Sequence, residues 1–439
     1  MNVEESRVWI SSLRRFGMKP GLERVNRVLD QLDHPESRLR FYHVAGTNGK
    51  GSVCTLLCRL LEASDQRVGV YTSPGLGGFN GRIVVAGEAI PDEAFARHAS
   101  TVRAALERGL DADPLTEFEV LTVIALLYFA EQRVDAVVWE TGLGGRFDAT
   151  NIVTPIVTSI TNVSYDHVEI LGPTLVDIAR DKSGIVKPGI PMVTAATGDA
   201  YRIINRQAIT VGAPIFQVGR HLSFVQTSVC DTHQIGSYRG IYRDAHNVRL
   251  SLYGRHQTAN AAVALGMYEA GLGRVPDAVW TRALRSLDGA RWPLRFEVFR
   301  RERMPVVIDG AHNPDAAYQL SRTLAAFAET ARLPATGRWR MVIGVFADKD
   351  AKTMLQHVLP LAHDVIVCRP NHVRGALPQD VAQLIGSIRR DLPVRIIDDV
   401  EAAVEAAMDG SLPIVIWGNL HMAEGAREWI LKTGLDYWT

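Results

Sequence analysis

Residues 41–56 read Phe-Tyr-His-Val-Ala-Gly-Thr-Asn-Gly-Lys-Gly-Ser-Val-Cys-Thr-Leu. The apolar run Phe41 to Ala45 predicts a strand. It feeds a glycine-rich turn that ends in Lys50 and Ser52 and opens an apolar helix, Val53 to Leu61. Strand, glycine loop, lysine, hydroxyl and helix, in that order, are the parts of a phosphate cradle. Glycines let backbone N–H groups point inward, the helix start adds positive potential, Lys50 neutralises phosphate, and Ser52 can hold Mg²⁺. The strict pattern G-x-x-x-x-G-K-[ST] is not met: Val44 stands where its first glycine would fall, and Gly51 intervenes before Ser52. Alone, the stretch is either a variant phosphate loop or an ordinary glycine-rich turn.

The rest of the chain bounds the choice. Its 439 residues exceed one typical domain, and 47% hydrophobic content supports full cores. Lys+Arg 48 against Asp+Glu 48 leaves no net charge, which argues against a broad nucleic-acid or membrane patch but not against a local anion site. The longest apolar run, near Val120 to Phe129, is about half the ~18 residues a membrane span needs. Met1 to Glu5 does not read as a signal peptide, and four cysteines are too few for a disulfide scaffold. Cys54 and Cys58, four apart on the loop's helix, read as packing residues or a metal pair. A cytoplasmic enzyme is expected.

Along the chain, Val8, Leu13, Val25, Val28, Leu29 and Leu32 give residues 3–33 a helical period, broken by a loop from Phe16 to Leu22. A strand over 67–71 ends in Thr72-Ser73-Pro74. Helices are expected over 92–110 and 117–131, the second opened by a capping box of Thr116 and Glu119. A buried strand over 136–139 ends in Glu140-Thr-Gly-Leu-Gly-Gly-Arg-Phe-Asp148-Ala-Thr-Asn151. A strand-end carboxylate followed by glycines suits a hard cation held between carboxylate and phosphate. A fourth strand, 155–161, leads to Asp166-His167, and a helix over 174–182 ends at Lys182. Residues 186–253 read as short strands and loops. Gly254-Arg-His256-Gln257-Thr-Ala-Asn260 opens a helix, as a purine or phosphate contact or as simple capping. After a Gly- and Pro-bearing boundary at 286–294, strands and helices alternate again, which predicts a second parallel, Rossmann-like sheet. Asp309-Gly-Ala-His312 and Gly344-Val-Phe-Ala-Asp348 lie at strand ends there.

Gly46-Thr47-Asn48-Gly49-Lys50-Gly51-Ser52 resembles the loop of the Mur ligase superfamily. With His43-Val44-Ala45 ahead of it, the match narrows to the folylpolyglutamate synthase and dihydrofolate synthase family. The Glu140–Asn151 run, the Asp-His pair, the Gly-x-His-Gln-x-x-Asn run, Arg295 and the Asp309–His312 motif are all similar to that family, so the resemblance spans nearly the whole chain. It implies an α/β fold: a Mur-ligase-like P-loop ATPase domain over 1–288 and a smaller Rossmann-like ligase domain over 295–439. It implies ATP, with Gly46 to Ser52, His256, Gln257, Asn260, Arg295 and Asp309 as nucleotide residues. It implies Mg²⁺ at two sites, with Ser52, Ser73, Glu140, His167 and Lys182 as ligands, Lys182 through a carbamate. Lys50, Lys182, His167, Asp309 and His312 take the catalytic positions, and Phe118 lies beside a pterin. L-Glutamate is the expected amino acid, dihydropteroate or tetrahydrofolate the expected acceptor, and a monomer the expected state.

The chain departs from the family where His-Leu and Asn-Glu-Arg-Ile become Gly75-Leu76 and Asn80-Gly81-Arg82-Ile83, and where Leu294 replaces a common glycine. Gly75 and Gly81 motivate a rival reading, the same ligase chemistry on a non-folate carboxylate. A small-molecule kinase and a non-catalytic nucleotide-binding regulator are two further rivals.

Overall fold

The computed structural model describes residues 1–16, 19–108, 113–333 and 338–438. Residues 17–18 of the first expected loop, and the last two residues of the helix expected over 92–110, lie outside it. The described strands are β1 Phe41–Ala45, β2 Val68–Tyr71, β3 Ile83–Val85, β4 Glu88–Ala89, β5 Ala136–Glu140, β6 Val157–Ile160, β7 Met192–Thr194, β8 Ile215–Gln217, β9 Ser223–Val229, β10 Gln234–Arg239, β11 Asp244–Leu250, β12 Glu297–Arg301, β13 Met304–Asp309, β14 Trp339–Ile343, β15 Ala362–Val367, β16 Val394–Ile396 and β17 Ile414–Trp417. The chain forms two compact units. One comprises Met1–Val225, Ser237–Val248 and Ala259–Leu287; the other comprises Gln226–Gly236, Arg249–Thr258 and Asp288–Thr439. A single boundary at 288–295 therefore omits two earlier stretches, 226–236 and 249–258, that pack with the second unit.

The first unit is built on an eight-stranded sheet, order β4-β3-β2-β5-β1-β6-β7-β8. From β2 to β8 neighbouring strands run parallel; β3 and β4 add antiparallel pairs at one edge. Every residue of β1 and β5 is buried, which is why these strands read as unbroken apolar runs rather than alternating ones. The helix Glu117–Glu131 is buried from Glu119 to Leu126 without interruption, so it lacks a polar face. Its start is tied down twice. Thr116 and Glu119 form the expected capping box. The Glu119 carboxylate also accepts a forked bond from Arg24, with Nη2 at 2.8 Å and Nε at 3.1 Å from Oε1. Arg24 Nη2 donates in turn to the Lys19 carbonyl at 2.5 Å. Two buried charges thus fasten the loop around Lys19 to the head of that helix.

The second unit carries a six-stranded sheet, order β12-β13-β17-β14-β15-β16, parallel except for the β12–β13 hairpin. A separate three-stranded sheet has the order β11-β10-β9. One expectation needs correction, the strand-and-loop reading of 186–253, and two details add to the rest. Val8 is 60% exposed; Ser6 and Ile10 are the buried residues of the first helix. The stretch 186–253 contains a helix, Gly198–Thr210, that buries Ala200, Ile204 and Ala208 at four-residue spacing. Its glycine start and β-branched content hide that period from a propensity reading. The helix Leu420–Thr433 follows β17 and was not anticipated. Among the described residues, no helix is long and apolar enough to cross a membrane.

Removing one partner of the buried Arg24–Glu119 pair strands a charge, so Glu119→Ala is expected to destabilise the first unit by about 3 kcal/mol. Val8→Ala, on an exposed face, should stay within about 0.5 kcal/mol. Urea unfolding of both variants measures the contrast.

Candidate active site

Four adjacent strands, β2, β5, β1 and β6, end side by side, and the loops after them make the first unit's site. The β1 loop turns back at Gly46, whose φ of 149° lies in the region glycine tolerates. A Cβ there would collide with the Thr161 hydroxyl. The loop is braced on the segment after β6. Thr47 N–H donates to the Asn162 carbonyl at 3.0 Å, Asn48 N–H to Asn162 Oδ1 at 2.8 Å, and Thr161 Oγ1 to the Asn48 carbonyl at 2.6 Å. Lys50 opens the helix Lys50–Glu62 and folds back, its Nζ 3.1 Å from the Gly46 carbonyl and 3.3 Å from that of Thr47.

Lys182, at the end of the helix Leu175–Lys182, reaches the same place: its Nζ lies 3.0 Å from the Gly46 carbonyl. It is buried. Burial, with the charge of Lys50 added, pushes its ammonium down to about 7. In this state Lys182 is a hydrogen-bond donor; an oxygen ligand at this position requires the carbamate. The Mg²⁺ donor set has the right chemistry. Ser52 and Glu140 are buried at the loop and at the end of β5, and Ser73 N–H donates to Glu140 Oε2 at 3.3 Å. A carboxylate and two hydroxyls are hard oxygen donors that fit Mg²⁺ completed by phosphate and water. Among the described residues, no group of three or more His, Cys, Asp and Glu is placed to hold a metal. His167 differs from Ser52 and Glu140 in exposure: its side chain is 41% exposed, its backbone is left-handed at φ 50°, and its Nε2 lies 3.8 Å from Asp166 Oδ1.

A cavity of about 440 Å³ opens beside these residues, lined by Ser73, Phe118, Asp148, His167 and Asp181 among others. Phe118 and Leu143 give it apolar walls, and Asp148 and Asp181 place carboxylates on it. Burial raises both carboxyls above the usual range. Asp148 is oriented by the Leu143 N–H at 2.7 Å and by the Thr150 N–H and hydroxyl at 3.0 and 2.5 Å. Since the Thr150 hydroxyl donates to Asp148, His43 Nε2–H is the donor in the 2.9 Å contact with Thr150. Burial holds His43 neutral, its pKa near 3. The His43 of the sequence signature therefore acts through Thr150 to fix a cavity carboxylate.

In the second unit, Asp309 ends β13 and accepts from the Phe296 N–H and the Ala311 N–H, each at 2.8 Å. His312 Nδ1 donates to the Gly310 carbonyl at 2.9 Å, which leaves Nε2 as the basic nitrogen of the neutral ring. His256 is held neutral by burial, near 4, and its Nδ1 has no hydrogen-bond partner among the described residues. The Gln257 N–H donates to the Gly254 carbonyl at 3.0 Å.

Residues 44–268 match the Mur ligase middle domain, and residues 294–414 match the Mur ligase, glutamate ligase domain. A Bacillus subtilis protein named dihydrofolate synthase/folylpolyglutamate synthase is 34% identical over 438 residues, covering 97% of this chain and 98% of its own. The chain belongs to this family of Mur ligases. A Mycobacterium tuberculosis folylpolyglutamate synthase solved with ADP and AMPPCP superposes with a TM-score of 0.88 at 28% identity, over 97% of this chain and 98% of its own. Escherichia coli FolC, solved with DHPP and ADP, does so with a TM-score of 0.86 at 30% identity, over 98% of each chain.

Within this Mur ligase framework, the sequence reading missed Asp148 and Asp181 as cavity groups. Asp148 was readable in principle: Asp-x-Thr after a glycine run is the pattern of a side chain folding onto the backbone two residues on. Asp181 carried no such signal. The departures at Gly75 and Gly81 have a local cause. A Cβ on Gly81 would overlap the Leu76 carbonyl, and one on Gly75 would overlap the Arg82 backbone. The loop between Ser73 and Ile83 closes on itself so tightly that only glycine fits, so these residues report the loop's path and give no support to a different acceptor. Gly81→Ala should therefore cost roughly 1–3 kcal/mol, as overpacking does. Gly386→Ala, in a helix with open space around it, should instead stabilise by about 0.5–1 kcal/mol. Thermal unfolding of the two variants checks the opposite signs.

Proposed function

We propose that this chain joins L-glutamate to the carboxylate of dihydropteroate or a reduced folate at the expense of ATP. The observation that carries the reading is the pair of lysines on the Gly46 carbonyl, set next to a cavity with aromatic walls and oriented carboxylates. A carboxylate does not condense with an amine in water, so it needs a leaving group. The acceptor carboxylate attacks the γ-phosphorus, ADP leaves, and an acyl phosphate remains. The glutamate amine then attacks the acyl carbon, and inorganic phosphate leaves.

Each group has a place in this scheme. The backbone of Gly46, Thr47, Asn48, Gly49 and Gly51 cradles the phosphates, and Lys50 neutralises the charge that spreads over the γ-phosphoryl oxygens. Ser52, Ser73, Glu140, His167 and carbamylated Lys182 would hold two Mg²⁺ ions; bound there, Mg²⁺ would supply further charge neutralisation. Asn260, His256, Gln257, Arg295 and Asp309 are nucleotide residues. His312 Nε2 is the base for the proton lost by the amine. The cavity receives the acceptor: a pterin offers ring N–H groups to Asp148 and a flat face to Phe118.

ADP formation on purified enzyme tests the reading. Turnover should require glutamate together with dihydropteroate or tetrahydrofolate, and simple aryl or alkyl carboxylates should not replace them. ATP hydrolysis that ignores both substrates, or phosphate transfer to a stable ester, overturns it. In the same assay Lys50→Ala should lose about a hundredfold in rate, the value of one preorganised charge contact of roughly 3 kcal/mol, with the fold intact. Lys182→Ala should lose turnover that a short-chain carboxylic acid partly restores. Failure of that rescue would count against the carbamate alone.

A further inference from the structure

The segment that opens the main part of the second unit is bent in an unusual way. Leu294 and Phe296 both take left-handed backbone conformations, at φ 60° and 46°, with Arg295 between them. Such angles are uncommon for residues with a Cβ and persist where surrounding contacts impose them. Here the contacts can be named. The Leu294 N–H donates to Glu297 Oε2 at 3.0 Å, and the Leu294 carbonyl accepts from Gly310 N–H at 2.8 Å. The Phe296 N–H donates to Asp309 Oδ2 at 2.8 Å. The Phe296 ring stacks on Tyr253 with centroids 5.5 Å apart.

Glu297 is the junction of this arrangement. Its buried carboxylate also accepts from Arg427 Nε at 2.9 Å on each oxygen, and from the Tyr437 hydroxyl at 3.0 Å. Tyr437 is itself fixed. Its ring stacks on Phe299 at 4.7 Å, Arg291 lies over the ring with its guanidinium carbon 4.0 Å from the ring centre, and the neighbours of Tyr437 bond the β12 backbone. So the carboxylate at the start of β12 ties together a strained bend, the last helix and the segment around Tyr437.

We propose that Glu297 is a positioning residue for nucleotide binding: through the Leu294 N–H and the Tyr437 hydroxyl it holds the left-handed bend that presents Arg295 beside Asp309. The proposal rests on Arg295 and Asp309 being nucleotide residues, as in the reading above. It accounts for how a leucine stands at position 294 with φ 60°. Glycine adopts this conformation freely, whereas leucine needs the clamp.

The test is steady-state kinetics on the full chain, with ATP, glutamate and the acceptor varied in turn. Glu297→Gln and Tyr437→Phe should each raise the KM for ATP by about tenfold, with kcat and the acceptor KM within about twofold of the parent. In a Leu294→Gly background the same Glu297→Gln change should move the ATP KM less than about twofold, because glycine takes this conformation without strain that a clamp must offset. Thermal unfolding on every variant separates loss of positioning from loss of fold. If Glu297→Gln does not fold, Tyr437→Phe decides, since it removes one hydroxyl and keeps the stacked ring. A raised ATP KM in Arg295→Ala with no change in Glu297→Gln or Tyr437→Phe overturns the proposal alone. An unchanged KM in Arg295→Ala overturns it together with the nucleotide role of Arg295. Equal effects of Glu297→Gln in both backgrounds overturn the clamp.

Discussion

Two lysine side chains on one carbonyl oxygen form the constraint around which the first unit's site is arranged. Lys50 and Lys182 come from different helices, and both reach the Gly46 carbonyl. One carbonyl dipole does not balance two ammonium groups. The arrangement answers in two ways: Lys182 gives up proton affinity, and the space around the loop takes on a positive potential. Both responses depend on burial, since in open water the two charges would be screened apart. The loop cannot relax away from them. The carbonyl is held where it is by a turn that leaves no room for a side chain at position 46, and by the braces to Thr161 and Asn162.

The sheet explains why such distant residues meet. In a parallel sheet all strands end on one edge, so residues after β1, β2, β5 and β6 share an edge although they span more than a hundred positions in sequence. Val44 in β1 is registered with Glu140 in β5, and Ala45 with Ile160 in β6. That register puts the glycine loop after β1 between the Glu140 carboxylate and the Asn162 amide. The helix Glu117–Glu131, apolar on every side, provides the ballast behind it, and the buried Arg24–Glu119 fork carries that rigidity forward to the cavity wall.

Much of this was readable from the chain. The glycine loop that runs into Lys50, the strand-end carboxylate Glu140 and the capping box at Thr116 are local patterns, and local patterns survive in sequence. Lys182 was placed by resemblance; nothing in its own surroundings in sequence announces a buried amine on a carbonyl 136 positions away. Asp181 as a cavity group and the Arg24–Glu119 pair were invisible for the same reason, because burial and long-range pairing are properties of the folded surface. Gly75 and Gly81 show the opposite error. Sequence registers that side chains are missing, whereas the structure shows that the backbone occupies their space. Val8 fits a helical period and is exposed, since a period identifies a face without saying that anything covers it.

The short stretch Asp436–Trp438 has a role apart from catalysis. The Arg300 N–H donates to the Asp436 carbonyl at 2.7 Å and the Trp438 N–H to the Val298 carbonyl at 3.0 Å, along the outer side of β12. That strand is the edge of the second sheet, and an edge strand with unpaired amides is a template on which other chains can add. By occupying it, three residues shield this one edge from such addition. The same short stretch that steadies the Glu297 carboxylate through Tyr437 thus also covers an edge of the sheet.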